Sequence, residues 1–197
     1  MAPPMYHDGS RALQDRFDSR RIADRLEQIT VHSEFSADDS AFIEQCSMFF
    51  LATSDAGGWP DCSYKGGMPG FIRVADPTTL VFPSYDGNGM FRSLGNITVN
   101  PKVGLLFIDF EQPNRMRVQG TATLHDDDDL LDAFEGAQLI VRVAAEAIFP
   151  NCPRYIHRMH LGEHSEFAPR PDHVPPVPEW KRMDVFRDHL PRPDAQH

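Results

Sequence analysis

Apolar positions along the chain change period near residue 47, and that change predicts its organisation. Before it, Leu13, Phe17, Leu26 and Ile29 recur at helical spacings with Arg and Asp between them, so Ser10 to Ile29 reads as one amphipathic helix. A second helix is expected from Ser36, where a polar cap precedes Ala37-Asp38-Asp39 and then Phe42, Ile43 and Cys46. Acidic side chains suit the positive end of a helix.

From Met48 the apolar runs become short and are cut by turn residues. Strands are predicted at Met48 to Thr53, Asp61 to Lys65, Gly70 to Val74, Thr79 to Phe82, Val103 to Phe110, Arg115 to Leu124 and Leu139 to Phe149. Most intervals are too short for crossover helices, which points to an antiparallel sheet closed into a barrel. Along Arg115 to Leu124, Met116, Val118, Ala122 and Leu124 point one way and Arg115, Arg117, Gln119 and Thr121 the other, so one face is core and one is wet. Asp126 to Asp129 lacks the alternate acids, glycine and distant Glu of a calcium loop and reads as a solvated turn and helix start. Residues 165–197 hold 7 of the 17 prolines, an extended tail whose expected docking segment is Pro175 to Trp180. With no internal repeat or linker, residues 1–197 are expected to form a single domain: a helical segment at 8–46, a barrel at about 47–160 and the tail at 165–197.

Composition narrows the functional classes. A chain of 197 residues with 41% apolar content builds a real core. A net charge of -10 repels phosphate polymers at long range, which disfavours nucleic acid as a partner. No stretch approaches a membrane span, and the start MAPPMYHDGSR lacks a signal-peptide pattern, so a cytoplasmic protein with no membrane partner is expected. Cys46, Cys62 and Cys152 lack C-x-x-C spacing and read as reduced thiols, with no metal site.

The segment Phe82 to Asn100, FPSYDGNGMFRSLGNITVN, carries the most chemistry. A strand ends at Phe82-Pro83, a flexible turn Asp86-Gly87-Asn88-Gly89 follows, and a helical stretch begins near Met90 with Arg92 and Ser93 in its first turn. Free amides, a guanidinium and a hydroxyl together suit a phosphate; a glycine-rich turn with a surface arginine is the plainer alternative. Lys65, with Ser63 and Tyr64 just ahead of Gly66-Gly67, is either a ligand to a flat ring lying close to the backbone or an ordinary surface lysine. Arg115 and Arg117, on one polar strand face, meet either a ligand or nearby carboxylates.

Taken in order, FFLATSDAGGWPDCSYKG, TTLVFPSYDGNGMFRSLGNITVNPKVGLLFIDF and RMRVQGTATL resemble the pyridoxamine 5'-phosphate oxidase-like family of FMN-binding split barrels. The resemblance runs from Phe42 to Ile156. Its most specific part is the turn with Arg92 followed by Asn100-Pro101-Lys102-Val103, and Asn151 to Met159 resembles the C-terminal signature of a bacterial subgroup of unassigned substrate. It implies a mainly β (α+β) fold, a six-stranded antiparallel split β-barrel with two N-terminal helices and an extended Pro-rich C-terminal tail. It also implies a homodimer with FMN at the interface and an oxidoreductase passing hydride between FMN and NAD(P)H or a small-molecule substrate.

By position, the resemblance places Ser63, Tyr64 and Lys65 along the isoalloxazine and ribityl chain, Pro83 and Ser84 facing the ring, and Arg92 and Ser93 at the phosphate. Arg115 and Met116 would reach the flavin from the partner subunit, as would Trp180. Two departures stand out. Ser63 replaces the Arg usual in vitamin B6 oxidases, and Arg92-Ser93 replaces their Arg-Lys pair, leaving Lys65 or Arg154 to restore the missing cation. Their C-terminal substrate motif is missing from the ending PRPDAQH, so oxidation of pyridoxamine phosphate is not expected. No Ser-His-Asp order, P-loop or paired-carboxylate motif nominates a catalytic residue. The alternatives are a flavin-binding module without turnover, or a split barrel holding deazaflavin or haem. For haem, His157 and His160 are the candidate ligands, against a surface or tail-docking role.

Overall fold

The computed structural model describes residues 5–192; the last five positions of the tail expectation lie outside them. The chain opens with three helices, α1 (Asp8–Arg16), α2 (Arg20–Thr30) and α3 (Ala37–Glu44). The single helix expected over Ser10 to Ile29 is therefore two. Asp18 breaks it by taking a left-handed φ of 48°, a conformation that Asp tolerates better than most residues. Helix α3 starts where its cap predicts: the Ser36 hydroxyl accepts from the Asp39 amide while the Asp39 carboxylate accepts from the Ser36 amide.

Seven strands follow: β1 (Met48–Ser54), β2 (Pro60–Gly66), β3 (Arg73–Asp76), β4 (Thr79–Tyr85), β5 (Lys102–Asp109), β6 (Asn114–His125) and β7 (Ala137–Pro150), with helix α4 (Arg92–Val99) between β4 and β5. They form one antiparallel sheet in the order β2-β1-β5-β6-β7-β4-β3. Strand positions agree closely with the sequence pattern; the total is seven rather than six. The run Gly70 to Val74 is strand only from Arg73, because Gly70 turns the chain at a φ of 86°. Asp126 to Asp129 leads into a short 3-10 turn, Leu131–Ala133, and Asp128 is not solvated. Its side chain is 2% exposed and accepts from Arg142 Nε at 2.6 Å.

The sheet is rolled. Four strand spacings separate β1 from β4, about 19 Å in a flat sheet, yet the rings of Phe49 and Phe82 lie 5.0 Å apart, edge to face. Phe107 stacks on Phe49 at 5.3 Å. These rings, with Leu51, Leu80, Leu105, Val118 and Ile148, form a fully buried core, each large side chain contributing about 1.5–3 kcal/mol. Gly120 permits the β6–β7 bulge, since a Cβ there would sit 2.3 Å from the Ala144 carbonyl oxygen. The outermost strands, β2 and β3, are not joined to each other, and this gap is the split of the barrel.

Beyond β7 the described tail is irregular apart from a 3-10 turn at Glu179–Arg182 and α5 (Asp184–Arg187). Ala168 is buried, Pro169 packs on Gly136, and the Lys181 ammonium pairs with Asp86 in the loop after β4. No helix among the described residues is long and apolar enough to cross a membrane.

Candidate functional site

Partners across an antiparallel ladder share a face. Lys65, Ser63 and Asp61 of β2 pair with Phe49, Leu51 and Thr53 of β1, whose side chains are all buried. All three β2 residues therefore point into the barrel. The interior row, Phe49 and Leu51 followed by Thr53 along β1, becomes hydroxyl, carboxylate and ammonium along the edge strand. Ser84 extends the inward row of β4, after Leu80 and Phe82, towards the same place. The polar residues at the open edge of the sheet line a cleft of about 320 Å³.

Helix α4 closes the cleft. Leu94 and Ile97 anchor it in the core, and two side-chain amides fasten it to β1: Asn96 Nδ2 donates to Thr53 Oγ1 at 3.0 Å, and Asn100 Nδ2 to Ser54 Oγ at 2.8 Å. This is the structural work of Asn100 in the motif Asn100-Pro101-Lys102-Val103. The helix start is thereby held against β2, where Ser63 Oγ lies 2.8 Å from Ser93 Oγ and the Ser93 hydroxyl donates to Asp61 Oδ2 at 3.3 Å.

The start of α4 lacks the usual stabilising features. Its N-cap, Phe91, holds a left-handed φ of 47° and gives no side-chain cap; the first turn contains no acid and begins with Arg92. A left-handed non-glycine residue costs about 1–2 kcal/mol, and a cation opposes the positive end of the helix dipole. The first-turn amides have no helical partner. Such an end favours an anion in front of it. Asp61 stands 3.9 Å from Arg92 Nε, and the Arg92 side chain is 64% exposed at the mouth. Lys65 lies deeper, where burial lowers its pKa from the ordinary lysine value against the opposing pull of Asp61; it makes no ion pair among the described residues. Burial also pushes the Tyr85 phenol on the cleft wall up to about 12, against Arg73, so it stays neutral.

Five of the residues singled out in the sequence thus meet in one cleft: Ser63, Lys65, Ser84, Arg92 and Ser93. Tyr64 does not join them. It projects from the opposite face of β2, edge to face with Phe50 at 6.2 Å, into a larger cleft of about 560 Å³ shared with Phe110, Met159 and His160. Pro83 is buried opposite Ile140 and Met116 is buried in the core. Arg115 lies on β6 with an enclosed Nε that has no hydrogen-bond partner among the described residues. Trp180 packs against Phe186 in the tail, although its neighbour Lys181 grips the loop at the rim of the cleft. Arg154 is exposed and donates to Cys152 Sγ, away from the cleft, which leaves Lys65 as the second cation. Sequence reasoning missed Asp61, which the period of two shared with Ser63 and Lys65 would have found. It also missed Asn96, for which no local pattern was available.

Residues 36–164, about two-thirds of the chain, match the family model for pyridoxamine 5'-phosphate oxidase. The chain belongs to this family. As a pyridoxamine 5'-phosphate oxidase family member it carries the mainly β, split-barrel-like sheet with flanking helices described above. Among solved structures it is similar to HupZ of Group A Streptococcus (20% identity, 64% of this chain and 100% of that one, TM-score 0.49). It is also similar to a Lactobacillus delbrueckii protein provisionally assigned as a pyridoxamine 5'-phosphate oxidase (25%, 61% and 99%, 0.48). A third likeness is to HutZ, the haem storage protein of Vibrio cholerae (16%, 60% and 92%, 0.40). Comparison with curated proteins finds no match. In this family member His157 and His160 are both exposed, with His160 Nδ1 3.9 Å from Glu111. Among the described residues no three His, Cys, Asp or Glu side chains gather as a metal would require.

Proposed function

We propose that the chain binds FMN with its phosphate in the cleft between β2 and α4, and acts as an FMN-dependent oxidoreductase. The observation that carries this reading is the uncapped start of α4, headed by Arg92 and faced by the half-buried Lys65, which has no ion pair among the described residues, in a member of the pyridoxamine 5'-phosphate oxidase family. The residues fit the group: two cations and the first-turn amides meet a nearly dianionic monophosphate. Arg92 holds the phosphate at the mouth, Lys65 reaches it or the ribityl chain from inside, and Ser63 and Ser93 fix the spacing between strand and helix. Ser84 lines the route along β4 on which the ring would lie.

When bound, FMN supplies the hydride chemistry, and the protein supplies position and electrostatics. A homodimer accompanies this reading. The outer sheet face carries Tyr64, 63% exposed, beside Phe50 and Leu106, while the enclosed Nε of Arg115 lacks a partner that a second subunit or its flavin would provide. Cofactor at a subunit interface is what the sequence resemblance implies, and these features support it.

Anaerobic mixing of the FMN-loaded protein with NADH and with NADPH tests turnover. Bleaching of the flavin band by either donor is expected. A band that persists with both donors, and with candidate reduced substrates, would leave a flavin-holding module.

A further inference from the structure

Between the end of β4 and the start of α4 the chain runs through Asp86-Gly87-Asn88-Gly89-Met90-Phe91, and all but Asp86 line the cleft beside Arg92 and Ser93. This loop is thinly held. A Cβ built at Gly87 or Gly89 would meet nothing within 4 Å, Gly89 takes a φ of 76°, and the Asn88 side chain accepts from the Met90 amide of the same loop at 3.0 Å. Among the described residues, one hydrogen bond ties residues 86–90 to another segment: the Lys181 ammonium donates to the Asp86 carboxylate, 95 residues away in sequence. A glycine-rich loop has many conformations to lose, and α4 starts from one of them. Phe91 holds its φ of 47° while its carbonyl accepts from the Gly95 amide at 2.6 Å.

The tail end of this pair is the firmer one. Lys181 belongs to the 3-10 turn Glu179–Arg182, closed by the Lys181 amide on the Pro178 carbonyl at 3.0 Å and the Met183 amide on the Trp180 carbonyl at 3.2 Å. Its Nζ lies 5.6 Å from the centroid of the Trp180 ring, which meets Phe186 of α5 edge to face at 5.7 Å. The Lys181 side chain is 18% exposed, against 59% for Asp86. An exposed ion pair is weakened by the freedom that two long side chains give up; a lysine whose stem is already covered gives up less. The restraint therefore falls on the loop, at the residue where it leaves β4.

We propose that Lys181 is a positioning residue of the cleft: through Asp86 the tail straps down the loop that sets the start of α4, and so slows the escape of the bound phosphate group. The inference rests on the reading of the cleft as the FMN phosphate site. Restraint and charge predict different results. As bare charges at the rim, Asp86 repels a phosphate and Lys181 attracts it, so removing them moves FMN binding in opposite directions; as a strap, removing either loosens the cofactor. The test is stopped-flow dissociation of FMN from the full chain for the wild type, Lys181→Ala, Asp86→Ala, the two combined and Lys181→Arg. Each alanine variant is expected to release FMN about two- to fivefold faster, the scale of a partly exposed ion pair. The combined variant is expected to be no faster than either, and Lys181→Arg, which keeps the pair, to stay near the wild type. Hydrogen exchange over residues 86–99 of the FMN-free protein, expected to quicken in Lys181→Ala and not in Lys181→Arg, reads the strap without the cofactor. Rates that move in opposite directions in the two single alanine variants, or in neither, overturn the proposal, as does unchanged exchange in Lys181→Ala. A wild type that binds no FMN, with exchange still quickened in Lys181→Ala, overturns the phosphate reading and leaves the strap standing.

Discussion

Ser63 Oγ lies 2.8 Å from Ser93 Oγ, joining the edge strand β2 to the first turn of α4 across 30 residues of sequence. Ser93 is 5% exposed, and its hydroxyl also serves Asp61. Ser93→Ala therefore leaves Ser63 and Asp61 each short of a partner in a semi-enclosed cleft. The expected result is a stability loss of about 1–2 kcal/mol in chemical denaturation, with weaker FMN binding because helix and strand no longer hold their spacing. A variant matching the wild type in both measurements would make the contact incidental.

Lys65 is held where burial disfavours its charge, with no ion pair among the described residues. Such a side chain is retained against the interest of the empty fold. Lys65→Met is expected to raise the melting temperature of the ligand-free protein and to weaken FMN binding by about 1–3 kcal/mol. The two effects have opposite signs, so differential scanning fluorimetry with and without FMN reads both. A variant that loses stability and keeps its FMN affinity would show Lys65 to be a structural lysine.

Most of the architecture was legible in the sequence because most strands are apolar runs closed by turn residues, as in Met48 to Thr53 followed by Asp55-Ala56-Gly57-Gly58. What escaped had non-local or conformational causes. The break between α1 and α2 depends on a positive φ at Asp18, which the apolar spacing of Leu13, Phe17, Leu26 and Ile29 does not register. Taking Ser63, Tyr64 and Lys65 as one group ignored the strand period, which sends Tyr64 to the opposite face. Asp61 went unread because its role appears only when α4 is folded back over β2, and that placement depends on distant pairs such as Asn96 with Thr53.

Asp128 illustrates a further long-range pairing. Its carboxylate accepts from Arg142 Nε at 2.6 Å and Nη2 at 2.9 Å, and from the Leu130 amide, and these hydrogen bonds, the guanidinium foremost, hold it well below the usual carboxylate range. A carboxyl group with a depressed folded pKa contributes stability that is fully present above the unfolded value of about 3.9 and is lost as pH falls through the folded value. Asp128→Asn is expected to cost about 1.5–3 kcal/mol at neutral pH. The gap to the wild type should hold down to about pH 4 and close only below it. Urea unfolding at a series of pH values measures this, and a gap that closes near neutrality would contradict it.

The cysteines should separate by reactivity. Burial pushes the Cys46 thiol up to about 12, aided by Asp109, while backbone and side-chain hydrogen bonds from Arg154 lower the pKa of the exposed Cys152. The thiolate is the reactive form. Iodoacetamide followed by peptide mass spectrometry should label Cys152 early and Cys46 only once the protein unfolds. Labelling of Cys46 in the folded protein at the rate of Cys152 would be inconsistent with the packing of α3 on the barrel.

The central claim is that the start of α4, led by Arg92, grips the phosphate of FMN. The most direct measurement is the visible absorption spectrum after incubation with FMN and removal of free flavin by desalting, for the wild type and for Arg92→Ala, with dissociation constants from titration. The wild type should retain the flavin band, and the variant, whose side chain is mostly exposed, should stay folded and bind FMN more weakly by about 1–3 kcal/mol. A colourless wild type, or an unchanged dissociation constant in Arg92→Ala, would contradict the claim.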